Sequence, residues 1–308
     1  MENAIEINDL KKYYGDFPAL KGLSFRVEKG SIHGFVGPNG AGKTTTIKIL
    51  MGLLKPDEGK AEIFGVDVSK CESRVNVGYM PEFVGFQTVL TPLEVLELHG
   101  RLAGIKGSEL KGEYERVLKL VGLWDRRNDK IKTFSKGMKQ WLGLASALIG
   151  DPDLLILDEP TVGLDPGSLI EFRSILKDIG GDGKTIFISS HILSEIQQIC
   201  THVTFINKGV VISSGKLGDV LKSAYGVKGV VLELKVVTDK IVNALKSLNG
   251  VSDVRFDGKT LIVEYSGDED LREDIFRCIV REGGIILGMR LEESSLEDAY
   301  LRLVGVEK

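Results

Sequence analysis

The sequence predicts an α/β protein: a parallel-sheet core built around a phosphate loop, followed by a small α+β unit. Three observations predict it. An apolar run, Ser31 to Val36, leads into a glycine-rich stretch and then into a helix-like run, Thr45 to Leu54. A second apolar run, Leu154 to Leu157, ends in the carboxylates Asp158 and Glu159. The residues after about 225 read in the order β-α-β-β-α-β.

Composition excludes several classes. The 308 residues are 43% hydrophobic and 27% charged, ordinary for a soluble globular chain with room for two domains. A formal charge of −4 argues against a broad basic surface for nucleic acid. No apolar run approaches the roughly 18–20 residues needed to span a bilayer. Met1 to Leu10 carries acids and no apolar core segment, so no signal peptide is expected there. Cys71, Cys200 and Cys278 are far apart and odd in number, which suits thiols in a reducing compartment. Residues 226–308 hold 12 Lys and Arg against 16 Asp and Glu, whereas the first 225 balance at 28 and 28. With the small-residue tract Ser223-Ala224-Tyr225-Gly226, this places a domain boundary at about 225.

Taken in order, the first element with chemistry is Gly37-Pro38-Asn39-Gly40-Ala41-Gly42-Lys43-Thr44. Its glycines let backbone N–H groups turn inward around phosphates at a helix N-terminus. Lys43 reaches the outer phosphates and the Thr44 hydroxyl can bind Mg²⁺. Next, Thr91-Pro92-Leu93-Glu94 is a helix start with Thr as cap and Glu closing a capping box. Residues 91–150 read as helices throughout. Within them Ser135, in Phe134-Ser135-Lys136-Gly137-Met138-Lys139-Gln140, is an N-cap with a glycine nearby, a second place suited to a phosphate. The strand ending in Asp158 and Glu159 puts two acids at a sheet's carboxyl edge, where open α/β sheets bind ligands. One acid can hold Mg²⁺ through water and the other can polarise an attacking water. In the tail, Val230 to Val237 is a strand and Ile241, Leu245 and Leu248 mark a helix. Val251 to Phe256 and Thr260 to Tyr265 flank Asp257-Gly258-Lys259 as a hairpin. Leu271 to Glu282 is a helix, Ile285 to Arg290 a strand and Ser295 to Val304 a last helix, together a ferredoxin-like order.

The order and spacing of these motifs over residues 4–220 resemble the ATP-binding cassette (ABC) ATPases. Phe134 to Met138 stands at that family's signature, and the form Ser-Lys-Gly-Met-Lys-Gln is similar to its drug- and antibiotic-exporter branch. The resemblance implies an α/β ATPase core with a helical subdomain at about 91–150. It implies that Tyr14, with Tyr13 as competitor, stacks on adenine. It makes Gly163-Leu164-Asp165-Pro166 a D-loop and His191 a switch histidine. Without the family, Asp165 belongs to a Leu-Asp-Pro turn and His191 to a helix start.

The same resemblance implies a soluble subunit that hydrolyses ATP to energise solute export. Two copies then sandwich two ATP. Each site takes Gly37, Asn39, Gly40, Gly42, Lys43, Thr44, Thr45, Asp158, Glu159 and His191 from one chain and Ser135 and Gly137 from the other, with Asp165 of the D-loop also among the nucleotide-binding residues. Asp158 and Thr44 hold Mg²⁺, and Glu159 is the general base or water-orienting group. A separate permease supplies the pore and keeps the subunit at the inner face of the membrane. Phe83, Val84, Phe86 and Leu90 are candidate contacts for it. Two positions depart from the family: Glu82 stands where most members have Gln, and Trp141 where many have Arg. The rival is a cytosolic ABC ATPase uncoupled from transport. Against it, the chain has one cassette, and no sustained heptads lie between Lys43 and Ser135.

Overall fold

The computed structural model describes residues 2–225, 228–265, 270–291 and 295–304. The chain divides into two compact units, Met1–Leu217 and Gly218–Lys308.

The first unit opens with two long strands, β1 (Asn3–Tyr14) and β2 (Phe17–Glu28), followed by β3 (Ile32–Val36) and helix α1 (Lys43–Leu50). Then come β4 (Glu58–Ile63), β5 (Val66–Asp67) and β6 (Val77–Met80). Three helices follow, α2 (Pro92–Leu102), α3 (Gly107–Leu120) and α4 (Lys136–Leu148). The unit continues through β7 (Leu154–Asp158), α5 (Pro166–Gly181), β8 (Thr185–Ser190), α6 (Leu193–Ile199), β9 (His202–Asn207) and β10 (Val210–Lys216). One sheet is antiparallel in the order β2-β1-β4-β5; the other runs β10-β9-β3-β8-β7-β6, with only β10 antiparallel to its neighbour. In the second sheet β3, β7 and β8 are buried at every position, as expected of parallel strands covered on both faces. Between the two sheets Phe25, Phe35 and Phe187 stack within 5.1–6.0 Å of one another, and Ile5, Leu23 and Ile47 are fully buried beside them.

The helical reading of 91–150 holds. Thr91 caps α2 and its backbone N–H donates to Glu94 at 2.7 Å, completing the capping box. Helix α1 is shorter and earlier than the predicted Thr45 to Leu54. Gly42 (φ 111°) starts it, and the N–H of Gly52 (φ 66°) turns back to Ile49 O to end it.

Helix α7 (Leu217–Tyr225) begins at the division between the units, and the boundary expected near 225 lies at its other end; Gly226 lies outside the described residues. The second unit is β11 (Lys228–Leu234), α8 (Asp239–Lys246), β12 (Val251–Asp257), β13 (Thr260–Tyr265), α9 (Arg272–Arg281), β14 (Ile286–Leu291) and α10 (Leu296–Val304). Its sheet is antiparallel in the order β12-β13-β11-β14, the ferredoxin-like arrangement. Leu261, Val263 and Tyr265 alternate into a core shared with Ile241, Leu245, Ile275 and Ile279. Strand β11 stops at Leu234, short of the predicted Val237, and Val236 is exposed. Each unit thus has its own core. A chain ending at Leu217 is expected to stay soluble and to melt cooperatively in a circular-dichroism scan; aggregation would mean that the tail completes the first core.

Candidate functional site

The site is built at the carboxyl edge of the parallel strands. After β3 the chain has no room for a side chain at two of its glycines. A Cβ on Gly37 would lie 2.2 Å from the carbonyl oxygen of Ile206, and one on Gly42 would lie 2.6 Å from Leu20 Cδ2. Gly42 is the N-cap of α1 and has no side chain to cap it, so the first N–H groups of the helix are left for a ligand. Lys43 is buried; its ammonium donates to Gly37 O at 2.7 Å and Pro38 O at 3.3 Å and lies 3.2 Å from Glu159 Oε1. The loop is therefore curled around its own lysine, with the lysine paired to the carboxylate of the next strand but one.

The two acids are held differently. Asp158 pairs across the sheet with Ser189, whose hydroxyl donates to Asp158 Oδ1 at 2.6 Å and accepts the Glu159 N–H at 3.0 Å. Asp158 Oδ2 is buried and has no hydrogen-bond partner among the described residues. Burial raises the Asp158 pKa, while the hydroxyls of Ser189 and Thr44 pull it down. Glu159 has φ 48°, a left-handed conformation that is unusual for a residue with a side chain. Its carboxylate spans two partners, Lys43 at Oε1 and His191 Nδ1 at Oε2, 2.8 Å away. His191 itself is 40% exposed. A carboxylate fixed between a cation and an imidazole at the rim of a phosphate loop is arranged to accept a proton from water.

The other predicted residues fall around this centre. Thr44 and Thr45 enter α1 half-buried, and Asn39 and Gly40 (φ 79°) form the exposed turn of the loop. Tyr14 and Tyr13 are 50% and 42% exposed near the tip of the β1–β2 hairpin, beside Phe17, an aromatic the sequence reading passed over. Two residues on, Ala19 and Leu20 pack against Gly42, which puts the hairpin tip near the loop. Glu82 lies two residues past Met80, the partner of Leu157, and is partly buried. Among the described residues no hydrogen bond joins Glu82 to the two acids.

Ser135 and Gly137 lie apart from the cluster. The Ser135 hydroxyl accepts the Met138 N–H and caps α4. A Cβ on Gly137 would find Leu164 at 3.7 Å and Gly163 O at 4.0 Å, so the signature lies against the loop after Glu159. Asp165 caps α5, accepting the N–H groups of Gly167 and Ser168. Trp141 is buried against Phe172 with ring centroids 5.5 Å apart, an aromatic contact where an arginine would need a charged partner. Two neighbours of the acids escaped the sequence reading as such. Ser189 becomes visible only once β7 and β8 are set in register. Tyr79 on β6 has its hydroxyl pKa pushed up to about 12 by burial and then by the charge of Asp158.

The family described as ABC transporter matches residues 20–162. The chain is 37% identical over 310 residues to the bacitracin transport ATP-binding protein BcrA of Bacillus licheniformis, covering 99% of this chain and 98% of that one. It is 32% identical to the linearmycin resistance ATP-binding protein LnrL of Bacillus subtilis (98% of each chain), and 31% identical to the daunorubicin resistance ATP-binding protein DrrA3 of Streptomyces coeruleorubidus (100% and 98%). Among solved structures, an ATP-binding subunit of an ABC transporter superposes with a TM-score of 0.65 at 31% identity, over 71% of this chain and 92% of that one. A dimeric ATP-binding cassette in a post-hydrolysis state with ADP and Pi superposes with a TM-score of 0.64 at 25% identity, over 69% and 98%. No helix among the described residues is long and apolar enough to cross a membrane.

Proposed function

The chain belongs to the ATP-binding subunits of the ABC transporter family, and from that premise we propose how this site binds and hydrolyses ATP and what it drives. The observation that carries the proposal is the Lys43–Glu159–His191 arrangement beside Asp158. The phosphates sit on the N–H groups at the start of α1. Lys43 leaves Glu159 and the loop carbonyls for the outer phosphate oxygens. Glu159, released from the lysine but kept on His191, takes the proton of the attacking water. Tyr14 stacks on the adenine.

The residues suit Mg²⁺: the unpartnered Oδ2 of Asp158 and the Thr44 hydroxyl are hard oxygen donors side by side. Bound there, the ion would neutralise phosphate charge. Ser135 and Gly137 lie with residues 163–164 and share no hydrogen bond with Lys43, which supports their serving the ATP of a second copy across a dimer. The power stroke is ATP-driven closing of that dimer. The bacitracin, linearmycin and daunorubicin systems of the relatives support export of an antibiotic-like solute through a separate permease. Phe83, 83% exposed in the loop after β6, is offered to that permease, which holds the subunit at the inner face of the membrane. The test is phosphate release from ATP by the purified chain, and its stimulation when the permease is co-reconstituted in vesicles. Failure of both overturns the reading.

Glu82 gives a finer test. When it faces the acids, it adds a third carboxylate that Mg²⁺ must offset. Glu82→Gln is then expected to tighten ATP binding at low Mg²⁺ and to change saturated turnover less. Calorimetric ATP titrations across a Mg²⁺ series check this; superimposable curves would leave Glu82 a coupling role only.

A further inference from the structure

Glu159 and His191 are tied together twice, and only one tie is made by the reacting side chains. Two residues beyond Glu159, the Thr161 hydroxyl donates to Glu195 Oε2 at 2.6 Å. Both are buried, Thr161 at 5% and Glu195 at 7% exposure, and among the described residues the other buried carboxylates are the two acids of the site. Glu195 belongs to the first turn of α6, which starts two residues after His191. Glu159, Thr161, Glu195 and His191 therefore close a ring: two short stretches of chain, joined at one end by the 2.8 Å Glu159–His191 contact and at the other by the Thr161–Glu195 bond.

His191 needs such a second tie. Its side chain is 40% exposed, so packing does not lock its rotamer. Its ring is placed by the backbone that carries it, and that backbone runs straight into α6. Glu159 likewise stands at φ 48°, a conformation that persists only where its surroundings over-determine it. A hydroxyl–carboxylate bond shielded from water is short and strong, and well suited to hold both segments as one body.

We infer that Thr161 and Glu195 are positioning residues that keep His191 seated on Glu159 when Lys43 turns away to the phosphates. The inference rests on the role proposed for Glu159. Neither residue touches nucleotide in this account, so their loss acts on kcat and spares ATP binding.

The experiment uses the full chain and three variants. Thr161→Val removes the bond but strands a buried carboxylate. Thr161→Val with Glu195→Leu removes both polar partners, so no buried group is left unpaired and the fold is kept. Thr161→Ser retains the hydroxyl. The double variant is expected to melt near wild type, to keep KM and calorimetric ATP affinity within about twofold, and to lose roughly tenfold or more in kcat, as displaced catalytic groups do. Thr161→Ser is expected to restore the rate. A folded double variant with wild-type kcat overturns the inference, as does a rate loss matched by lost ATP affinity. Glu159→Gln serves as the control. If it stays active, the role of Glu159 fails; if it is inactive while the double variant is fully active, only the positioning role fails.

Discussion

Glu159→Gln is expected to lower ATP turnover by roughly 10²–10⁴-fold while leaving ATP binding intact. Gln has the same shape. Its amide oxygen can still accept from Lys43 and its NH₂ can meet His191 in the tautomer with an unprotonated Nδ1, so the φ 48° backbone and both contacts survive. What is lost is the carboxylate to which the proton of the attacking water is assigned. With hydrolysis blocked and binding preserved, the closed dimer accumulates, because it is hydrolysis that reopens it. Phosphate release measures the first effect, and an ATP-dependent shift in sedimentation measures the second. Near-normal hydrolysis would remove Glu159 from its role.

Lys43→Met should damage both the empty and the loaded protein. Met keeps most of the aliphatic volume and none of the charge. In the empty protein the ammonium satisfies Gly37 O and Pro38 O and pairs with a carboxylate only 7% exposed. Removing one partner of such a buried pair costs about 3–5 kcal/mol, because the other charge is left stranded. In the loaded protein the outer phosphates lose their fixed cation, and ATP affinity is expected to fall on the order of 100-fold, equivalent to about 3 kcal/mol. Denaturant unfolding and ATP calorimetry check the two halves separately. A variant with unchanged stability would mean that the Lys43–Glu159 pair contributes nothing to the resting fold.

Much of this site was legible because phosphate chemistry leaves a local imprint. Gly37, Gly42, Lys43 and Thr44 fall within eight consecutive residues, and Asp158 and Glu159 end a run of apolar residues that reads as an inner strand. The tail was legible for another reason: strand β13 alternates strictly, at Leu261, Val263 and Tyr265, and its turns carry glycine. What stayed hidden depends on register or distance. Ser189 matters because it stands opposite Asp158, and no local pattern says which strands are neighbours. Thr161 and Glu195 are 34 positions apart and their bond exists only once α6 is docked. The long strands β1 and β2 went unread because bulges break their alternation, with register shifts at Ile7/Leu10 and Lys12/Tyr13. Helix α1 was misplaced at its start because a left-handed glycine, not a polar cap, begins it.

The strand order β9-β3-β8-β7 also governs how the protein comes into being on the ribosome. Strand β3 is translated early, yet both strands that flank it, β8 and β9, are made roughly 150 residues later, on the order of ten seconds at ordinary elongation speeds. Through that interval the segment Ile32–Val36 has neither edge paired, and Phe35 lacks the Phe187 ring that packs on it in the finished fold. The parallel sheet is therefore built on long-range contacts and cannot close around β3 until β8 and β9 have been made. Its vulnerable period is the time spent growing, and the segment a chaperone would need to shield is the strand that leads into its own phosphate loop.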